Sequence, residues 1–441
     1  IWLQNEYLIK EIGRVITQAQ TYGWLAKEKK KRVVIEYTDP NPFKEFHIGH
    51  LISNTIGESL ARLQEAVGKQ VWRADYFGDV GIHVAKAVWG LYKRMTEEGV
   101  DLESLGKRSL KERVNYMGQA YAEGSRAFDD PEVKEEIARL NTVLYMAAQR
   151  MWEEKGKKPA INYDPEGKIL AEEIERVYEL YKTGRKWSLE YFETIYERLG
   201  TKFDGYYPES RVGEKGYELV MKNVGKVFEK SEGAIIFKGE KFGLHTRVFI
   251  NKHNLPTYEA KELGLAPTKY EDYPYDESII VVGKEIKEYF GVLVEALTQI
   301  NPSLGSVTKP VCTGMVNLPE GKMSSRTGNV VTVTGLLDSL GDIAKSRMKE
   351  GEYGEEEKKA IADKIAVAAV KYTFLKSGVG QDIVFDVERS LSLEGNSGPY
   401  LQYTYARTQS VLAKGGEVTK SLDEKYNLND AESSILRYLY R

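Results

Sequence analysis

The sequence predicts an α/β protein: a Rossmann-like, doubly wound parallel sheet, split by a helical insertion and followed by further helices. Three observations predict it. Residues 33–38 are a short β-branched run, 47–68 have helical period, and 70–76 form a second strand pattern. Strand, loop, helix and strand in that order make a parallel unit. Residues 86–230 then read as helix with Lys- and Glu-rich faces, an insertion between two halves of the sheet. Strand patterns return at 234–238, 247–250 and 278–282.

Each element has a local reason. Residues 1–24 are amphipathic in helical period, and 26–32 are a charged linker. Asp39-Pro40-Asn41-Pro42 stops the first strand, because proline lacks a donor and restricts its neighbour. Leu51, Ile56, Leu60 and Leu63 share the face of the next helix, which Gly68 closes. Residues 258–265 predict a short helix, and Gly283 a turn after the last strand. Residues 361–375 and 400–412 predict helices, the second introduced by Gly395-Asn396-Ser397-Gly398-Pro399, and another helix begins after Asn427. No internal repeat is visible.

The 441 residues suggest about three domains. With 63 basic and 66 acidic residues the net charge is −3, so no global cation excess marks a nucleic-acid binder. One basic face would still suffice for phosphate contacts. Cys312 is the only cysteine, which excludes an internal disulfide and a zinc ribbon and fits a reducing cytosol. No stretch approaches the ~20 apolar residues of a membrane span, and no signal peptide is visible. The chain opens on Ile1 rather than Met, which predicts a fragment.

Two short motifs carry the chemistry. His47-Ile48-Gly49-His50 comes after the first strand and opens a helix. A helix start offers free N–H groups and partial positive charge to an anion, and Gly49 lets a nucleotide approach the backbone. Preorganised donors at a reacting phosphate are worth ~3 kcal/mol each. Far downstream, Lys322-Met323-Ser324-Ser325 lies between Gly321 and Gly328. Lys322 can reach phosphates as a point charge, with Ser324 and Ser325 as hydroxyl donors. Alone, the first motif also reads as a helix-capping pair and the second as a solvated basic turn. Together, in this order, they point to ATP-driven adenylation of an amino acid. No Walker loop and no GxGxxG occurs.

The HxGH and KMSS pair resembles the signatures of class I aminoacyl-tRNA synthetases, and the surroundings resemble the arginyl-tRNA synthetase family. Glu36-Tyr37-Thr38-Asp39-Pro40-Asn41 is similar to E-[FY]-[ST]-x-P-N, and Gly78-Asp79-Val80-Gly81 to GDWG. Trp187-Ser188-Leu189, residues 192–199, Phe203-Asp204 and Glu209-Ser210 resemble an insertion-side pattern. Gly395-Asn396-Ser397-Gly398-Pro399-Tyr400-Leu401-Gln402-Tyr403 resembles GNTGPYLQY, with Ala406-Arg407 just beyond it. The likeness runs from Ile1 to Arg441.

The resemblance implies a two-step reaction. L-arginine attacks the ATP α-phosphate, and the arginyl group then passes to the 3′-terminal ribose of tRNA(Arg). It implies His47, His50 and Lys322 as catalytic; Gly49, Glu285, Met315, Val316, Ser324 and Ser325 as ATP-binding; and Glu36, Asn41, Tyr258 and Glu259 as arginine-binding. A carboxylate suits a guanidinium because two parallel N–H···O bonds form in one plane. ATP with Mg²⁺ held on the phosphates is implied, with no protein metal ligand and no zinc, in a cytoplasmic monomer without membrane contact. Tyr400, Gln402 and Arg407 are candidate tRNA contacts, since stacking plus phosphate contact suits RNA. The spacing of Tyr400, Tyr403 and Tyr405 predicts core packing instead. For Glu36 the alternative is an ordinary strand-end carboxylate, and for Glu285 a solvated helix-start one.

One stretch departs from the family. Its Y-x-T-R-D-x aligns with Leu255-Pro256-Thr257-Tyr258-Glu259, which puts Leu255 where a substrate-contacting tyrosine stands and Glu259 in place of the aspartate. The implied domains are 1–25, the last helix of an N-terminal tRNA-binding domain; 26–90, the first half of the catalytic domain; 91–232, a mostly helical insertion; 233–310, the second half; 311–410, the KMSS loop and stem-contact helices; and 411–441, the start of a truncated helical anticodon-binding domain. A class I enzyme of other specificity and a catalytically idle RNA- or ATP-binding relative are the alternatives.

Overall fold

The computed structural model describes residues 4–24, 31–159, 161–317, 332–349, 353–415 and 426–439. Lys322, Ser324 and Ser325 lie outside the described residues.

The centre is a five-stranded sheet. β1 (Arg32–Glu36), β2 (Gln70–Phe77) and β3 (Gly205–Pro208) form one half, and β7 (Glu277–Gly283) and β8 (Thr308–Thr313) the other. The order is β3-β2-β1-β7-β8, and every pairing is parallel. The order reverses between β1 and β7, so a crevice opens there at the carboxyl ends of the strands, the usual ligand position in such sheets. Glu36 ends β1 in register with Ala74 on one side and Ile280 on the other.

Both faces of the sheet are covered. Val33 and Ile35 pack into one core and Val34 into another, as alternation demands of a strand buried on both sides. The first core holds α2 (Ile48–Ala66), α3 (Ile82–Glu98), α5 (Leu110–Ala127), α6 (Pro131–Glu153) and α7 (Ala171–Leu199), with the short α4 (Leu102–Gly106) beside them. It continues into α12 (Val333–Ser346) and α13 (Glu355–Leu375). The second core holds α8 (Glu209–Lys222), α9 (Tyr258–Asp272) and α10 (Lys287–Ile300), over a small antiparallel sheet of β4 (Glu229–Ser231), β5 (Ala234–Phe237) and β6 (Arg247–Ile250). α8 and α9 touch backbone to backbone. A Cβ on Gly216 would stand 1.7 Å from the Ala260 carbonyl oxygen, and one on Gly264 2.2 Å from that of Val212.

Two sequence readings change here. The helical reading of 86–230 misses β3, a strand of the central sheet. It is four residues long and ends in Pro208, which only an edge position tolerates. The helix expected over 258–265 runs on to Asp272 despite Pro267.

The remaining elements are α1 (Asn5–Gln18), α11 (Pro302–Val307), β9 (Val316–Asn317), β10 (Ile383–Val384), α14 (Val387–Ser390), α15 (Gly398–Gly415) and α16 (Asp430–Leu439). Among the described residues α15 is anchored at its start. A Cβ on Gly398 would lie 2.2 Å from the Ala368 carbonyl of α13, and Gln402 donates to the Lys364 carbonyl at 3.2 Å. Beyond Pro399 the helix is exposed, and so are Tyr400, Tyr403 and Tyr405. Their helical spacing predicted core; the structure leaves them in solvent because no element packs over that face among the described residues. Among those residues no helix is long and apolar enough to cross a membrane.

Candidate functional site

A cavity of about 610 Å³ lies at the reversal point, lined by the turn after β1, the start of α2, the end of β7 and the β8–β9 segment. It brings together Asn41, His47, Gly49, His50, Glu285, Met315 and Val316. Glu36, Tyr258 and Glu259 do not line it.

The first turn of α2 fixes both histidines. His47 Nδ1 accepts the Gly49 N–H at 3.1 Å, and His50 Nδ1 accepts the His47 N–H at 3.2 Å. Their rings stack 3.6 Å apart. A ring nitrogen that accepts a backbone N–H carries no proton, so these bonds assign the proton to Nε2 in each. Burial, and then the Lys44 charge, lowers His47 to about 4. His50 is pushed well below its ordinary value, first by burial, then by His47 and Lys44. At neutral pH both are uncharged Nε2–H donors. Capping spends Nδ1 and leaves Nε2 for a ligand.

The histidine motif is joined through the backbone to residues 332 and 333. His47 forms an antiparallel bridge with Thr332, and the Val333 N–H donates to the Phe46 carbonyl at 2.9 Å. Residue 332 is the first described one after 318–331, which holds the lysine motif. On the near side, Val316 pairs with Ile383.

The turn after β1 is strained. Thr38 has φ 86° and Asp39 φ 52°, a region that non-glycine residues avoid at a cost of about 1–3 kcal/mol each. α2 and β7 hold it. The Thr38 N–H donates to Ser53 Oγ at 3.0 Å, Asn54 Nδ2 donates to Thr38 Oγ1 at 3.0 Å, and Ser53 Oγ donates to the Val281 carbonyl at 3.1 Å. The strain turns Asp39 inward, where its Oδ1 accepts the Tyr76 N–H at 3.3 Å.

Carboxylates gather behind this turn. Glu36 is buried and paired with buried Lys269 through Oε2, while its Oε1 has no hydrogen-bond partner. Asp39 is pushed well up by burial, then by Glu36 and Asp75. Glu262 is pushed well up by burial, then by Glu36. Asp75 is raised by burial although Tyr196 donates to it at 2.8 Å. Glu259 sits 3.5 Å from Arg247.

These positions fit a second register of the family motif as well. Leu255 is a core residue, 3% exposed, and is not at a substrate surface. Read three residues later, Tyr258-Glu259-Ala260-Lys261-Glu262 fits Y-x-T-R-D, with Ala for Thr, Lys for Arg and Glu for Asp. In that register Glu262 stands in the aspartate's place, and after burial Glu36 is the largest influence on it. Thr257 matches the motif's threonine in the first frame, which is why the sequence alone favours the earlier register.

Tyr258 is held by a relay. Its hydroxyl meets His83 Nδ1 at 2.9 Å, and His83 Nε2 meets the Gly78 carbonyl at 2.9 Å. Burial lowers the His83 pKa, so Nε2 donates and Nδ1 accepts from Tyr258. Buried Lys261 binds Glu209 at 2.5 Å and lies 4.9 Å from the Tyr258 ring. Gly78 itself leaves room for Asn41, whose Oδ1 would stand 2.4 Å from an added Cβ.

At the β8–β9 edge of the cavity some backbone groups are already spent. The Met315 N–H is committed to Asp382 at 2.8 Å, and its carbonyl accepts from Ile383 at 2.8 Å. In a parallel ladder that turns the backbone groups of Val316 the other way. Lys44, three residues before the histidine motif, is a site residue that sequence reasoning missed. It is half-buried, lies over the Tyr121 ring at 4.8 Å, and its charge depresses His47, His50 and His83. A second cavity of about 420 Å³ adjoins His47, lined in part by Lys44, Asn115, Gln119 and Tyr121. Among the described residues no cluster of His, Cys, Asp or Glu could hold a metal.

A doubly wound sheet with neutral histidine donors at its reversal point is the arrangement of a class I aminoacyl-tRNA synthetase, and residues 11–387 match the family described as tRNA synthetases class I (R), catalytic domain. The chain belongs to that family, the arginyl branch of class I. It is 30% identical over 450 residues to an arginine--tRNA ligase of Borrelia hermsii, covering 99% of this chain and 71% of the relative. One from Flavobacterium psychrophilum is 30% identical, covering 98% and 71%. The fold is similar to that of the Thermus thermophilus arginyl-tRNA synthetase, with a TM-score of 0.72 at 20% identity, over 99% of this chain and 72% of that one.

Proposed function

We propose that this chain activates L-arginine with ATP and transfers it to tRNA(Arg), and that the roles divide along the cleft. The observation that carries the reading is the pairing of an acid-rich wall (Glu36, Asp39, Glu262) with a wall of uncharged donors (His47, His50) on either side of one strained turn.

The guanidinium lies against Glu262 and Glu36, with Tyr258 beside it, and Asn41 orients the amino-acid backbone. The arginine carboxylate attacks the ATP α-phosphorus as the bond to pyrophosphate breaks. His47 and His50 donate from Nε2 to phosphate oxygens as charge grows on them. Lys44 and Lys322 supply point charge, Ser324 and Ser325 hydroxyl donors, Gly49 close backbone approach, Glu285 acceptors for ribose hydroxyls, and Val316 backbone groups for adenine. Mg²⁺ would arrive with the ATP phosphates and supply positive charge there. In the second step the terminal ribose 2′-hydroxyl of tRNA attacks the arginyl carbonyl, loses its proton, and AMP leaves. No covalent enzyme intermediate forms, so positioning and electrostatics do the work. The second cavity beside His47 has the amides, ring and cation that suit a terminal adenosine, and exposed Tyr400 and Arg407 suit RNA farther along. Gln402, exposed on the same helix, also ties α15 to the Lys364 carbonyl. The enzyme acts as a cytoplasmic monomer.

Pyrophosphate exchange with each amino acid, tRNA present, tests the reading. Arginine alone should support exchange; exchange with another amino acid, or with none, overturns it.

A further inference from the structure

The acid-rich wall holds more acids than cations. Three of its carboxylates have ion-pair partners: Glu36 with Lys269, Glu209 with Lys261, and Glu259 with Arg247. Asp39, Asp75 and Glu262 have none among the described residues. These six acids thus have three cationic partners between them, Lys261 and Lys269 buried and Arg247 at the rim. Two oxygens are also left over: Glu36 Oε1 and Asp75 Oδ1 are buried with no hydrogen-bond donor, on side chains of residues 1% exposed. A cation with several N–H donors answers both deficits.

The groups facing the unpaired acids come from every neighbouring element. Glu262 feels Glu36 of β1, Lys269 and Glu259 of its own helix, and Glu209 of α8. Tyr289 of α10 feels Glu262 and Glu259 in turn, with Arg247 of β6 beside it. Asp39 feels Glu36, Asp75 of β2 and Glu262. Asp75 also feels Glu193 of α7. Carboxylates packed this way cannot all ionise. The direction of the shifts agrees: burial and neighbouring acids raise Asp39 and Glu262 together.

We propose that the pocket exchanges a proton for the substrate: arginine binding expels about one H⁺ from the Asp39–Glu262 pair to solvent as the guanidinium takes its place. The balance is one carboxylic acid plus one guanidinium going to one carboxylate–guanidinium pair plus H⁺. This rests on the reading of the cleft as an arginine site. A carboxyl pair raised in the empty protein and lowered by the ligand makes affinity climb with pH, by up to about tenfold per unit, until the raised values are passed. A neutral isostere such as citrulline has no charge to exchange and leaves the proton in place.

Calorimetric titration of the whole chain with L-arginine between pH 5.5 and 7.5, in phosphate and in Tris, measures this directly. The two buffers differ in ionisation heat, so a released proton separates their apparent enthalpies. A separation near one proton, with affinity rising with pH, is expected. Glu262→Gln should shrink the separation while arginine still binds, more weakly. Arginine binding with equal heats in both buffers and a flat pH profile overturns the proton exchange but leaves the arginine site standing. No arginine binding at any pH overturns both.

Discussion

The two clusters that flank the strained turn, the histidines lining the cavity and the acids behind it, solve opposite problems with the same means, burial. On the α2 side burial takes the charge off His47 and His50 and leaves them as oriented donors. On the α9 side burial and neighbouring acids push Asp39 and Glu262 up, toward their protonated forms. The first wall is satisfied when empty, since each Nδ1 already has a backbone N–H. The second is not, since Glu36 Oε1 and Asp75 Oδ1 lack donors. A site for the anionic ATP can therefore be preorganised at little cost, whereas a site for a cation stays frustrated until the cation arrives.

The sharpest way to break this contrast is Glu262→Gln. It removes one acid and keeps the shape. Losing a buried charge partner costs about 2–5 kcal/mol, so arginine kcat/KM should fall on the order of 10²–10³-fold. The KM for ATP should stay within a few-fold. An equal loss for both substrates would mean that the walls are not separate. Glu259→Gln is the control for register: its partner is Arg247 at the rim, and the arginine KM should move far less than with Glu262→Gln.

The donor wall should respond in the other parameter. His50→Ala removes one Nε2–H donor and the cap on the His47 N–H. One preorganised donor is worth roughly 10²-fold in kcat, and arginine KM should change little. Because both rings are already neutral, the activation rate should not fall as pH rises from 6 through 8. A rate that drops through that range would mean that a charged imidazolium is needed.

The contrast also explains what the sequence could carry. The parallel sheet halves and the histidine motif were legible because they are local: β-branched runs, a proline stop, a helix start. β3 was not, because four residues at a sheet edge need a partner to be a strand. Glu262 is not legible in the sequence because the motif has no fixed spacing from its strand, and only the influence of Glu36 across the fold singles it out. Lys44 carries no pattern of its own; its role comes from the three histidines whose pKa its charge lowers. The tyrosines of α15 have core periodicity, but periodicity says only that one face is apolar, not that something covers it.

The smallest effect tests frustration without any substrate. Glu36 and Glu262 sit in one cluster yet differ in stability terms. Glu36→Gln strands buried Lys269, and breaking a buried pair by removing one partner costs about 3–5 kcal/mol. Glu262→Gln removes an acid with no ion-pair partner, so it should relieve repulsion. The sign depends on pH. A carboxyl whose folded pKa is raised binds its proton more tightly in the folded state than in the unfolded state. The penalty therefore grows as pH climbs above the unfolded value and is complete once the folded value is passed. The ligand-free Glu262→Gln protein should melt at or above the parent at pH 8, by about 1–3 °C, with the gain shrinking toward pH 5. Glu36→Gln should melt well below it at both. If Glu262→Gln lowers the melting temperature at pH 8 as Glu36→Gln does, the acids are not in excess, and the empty pocket is as well satisfied as the histidine wall opposite.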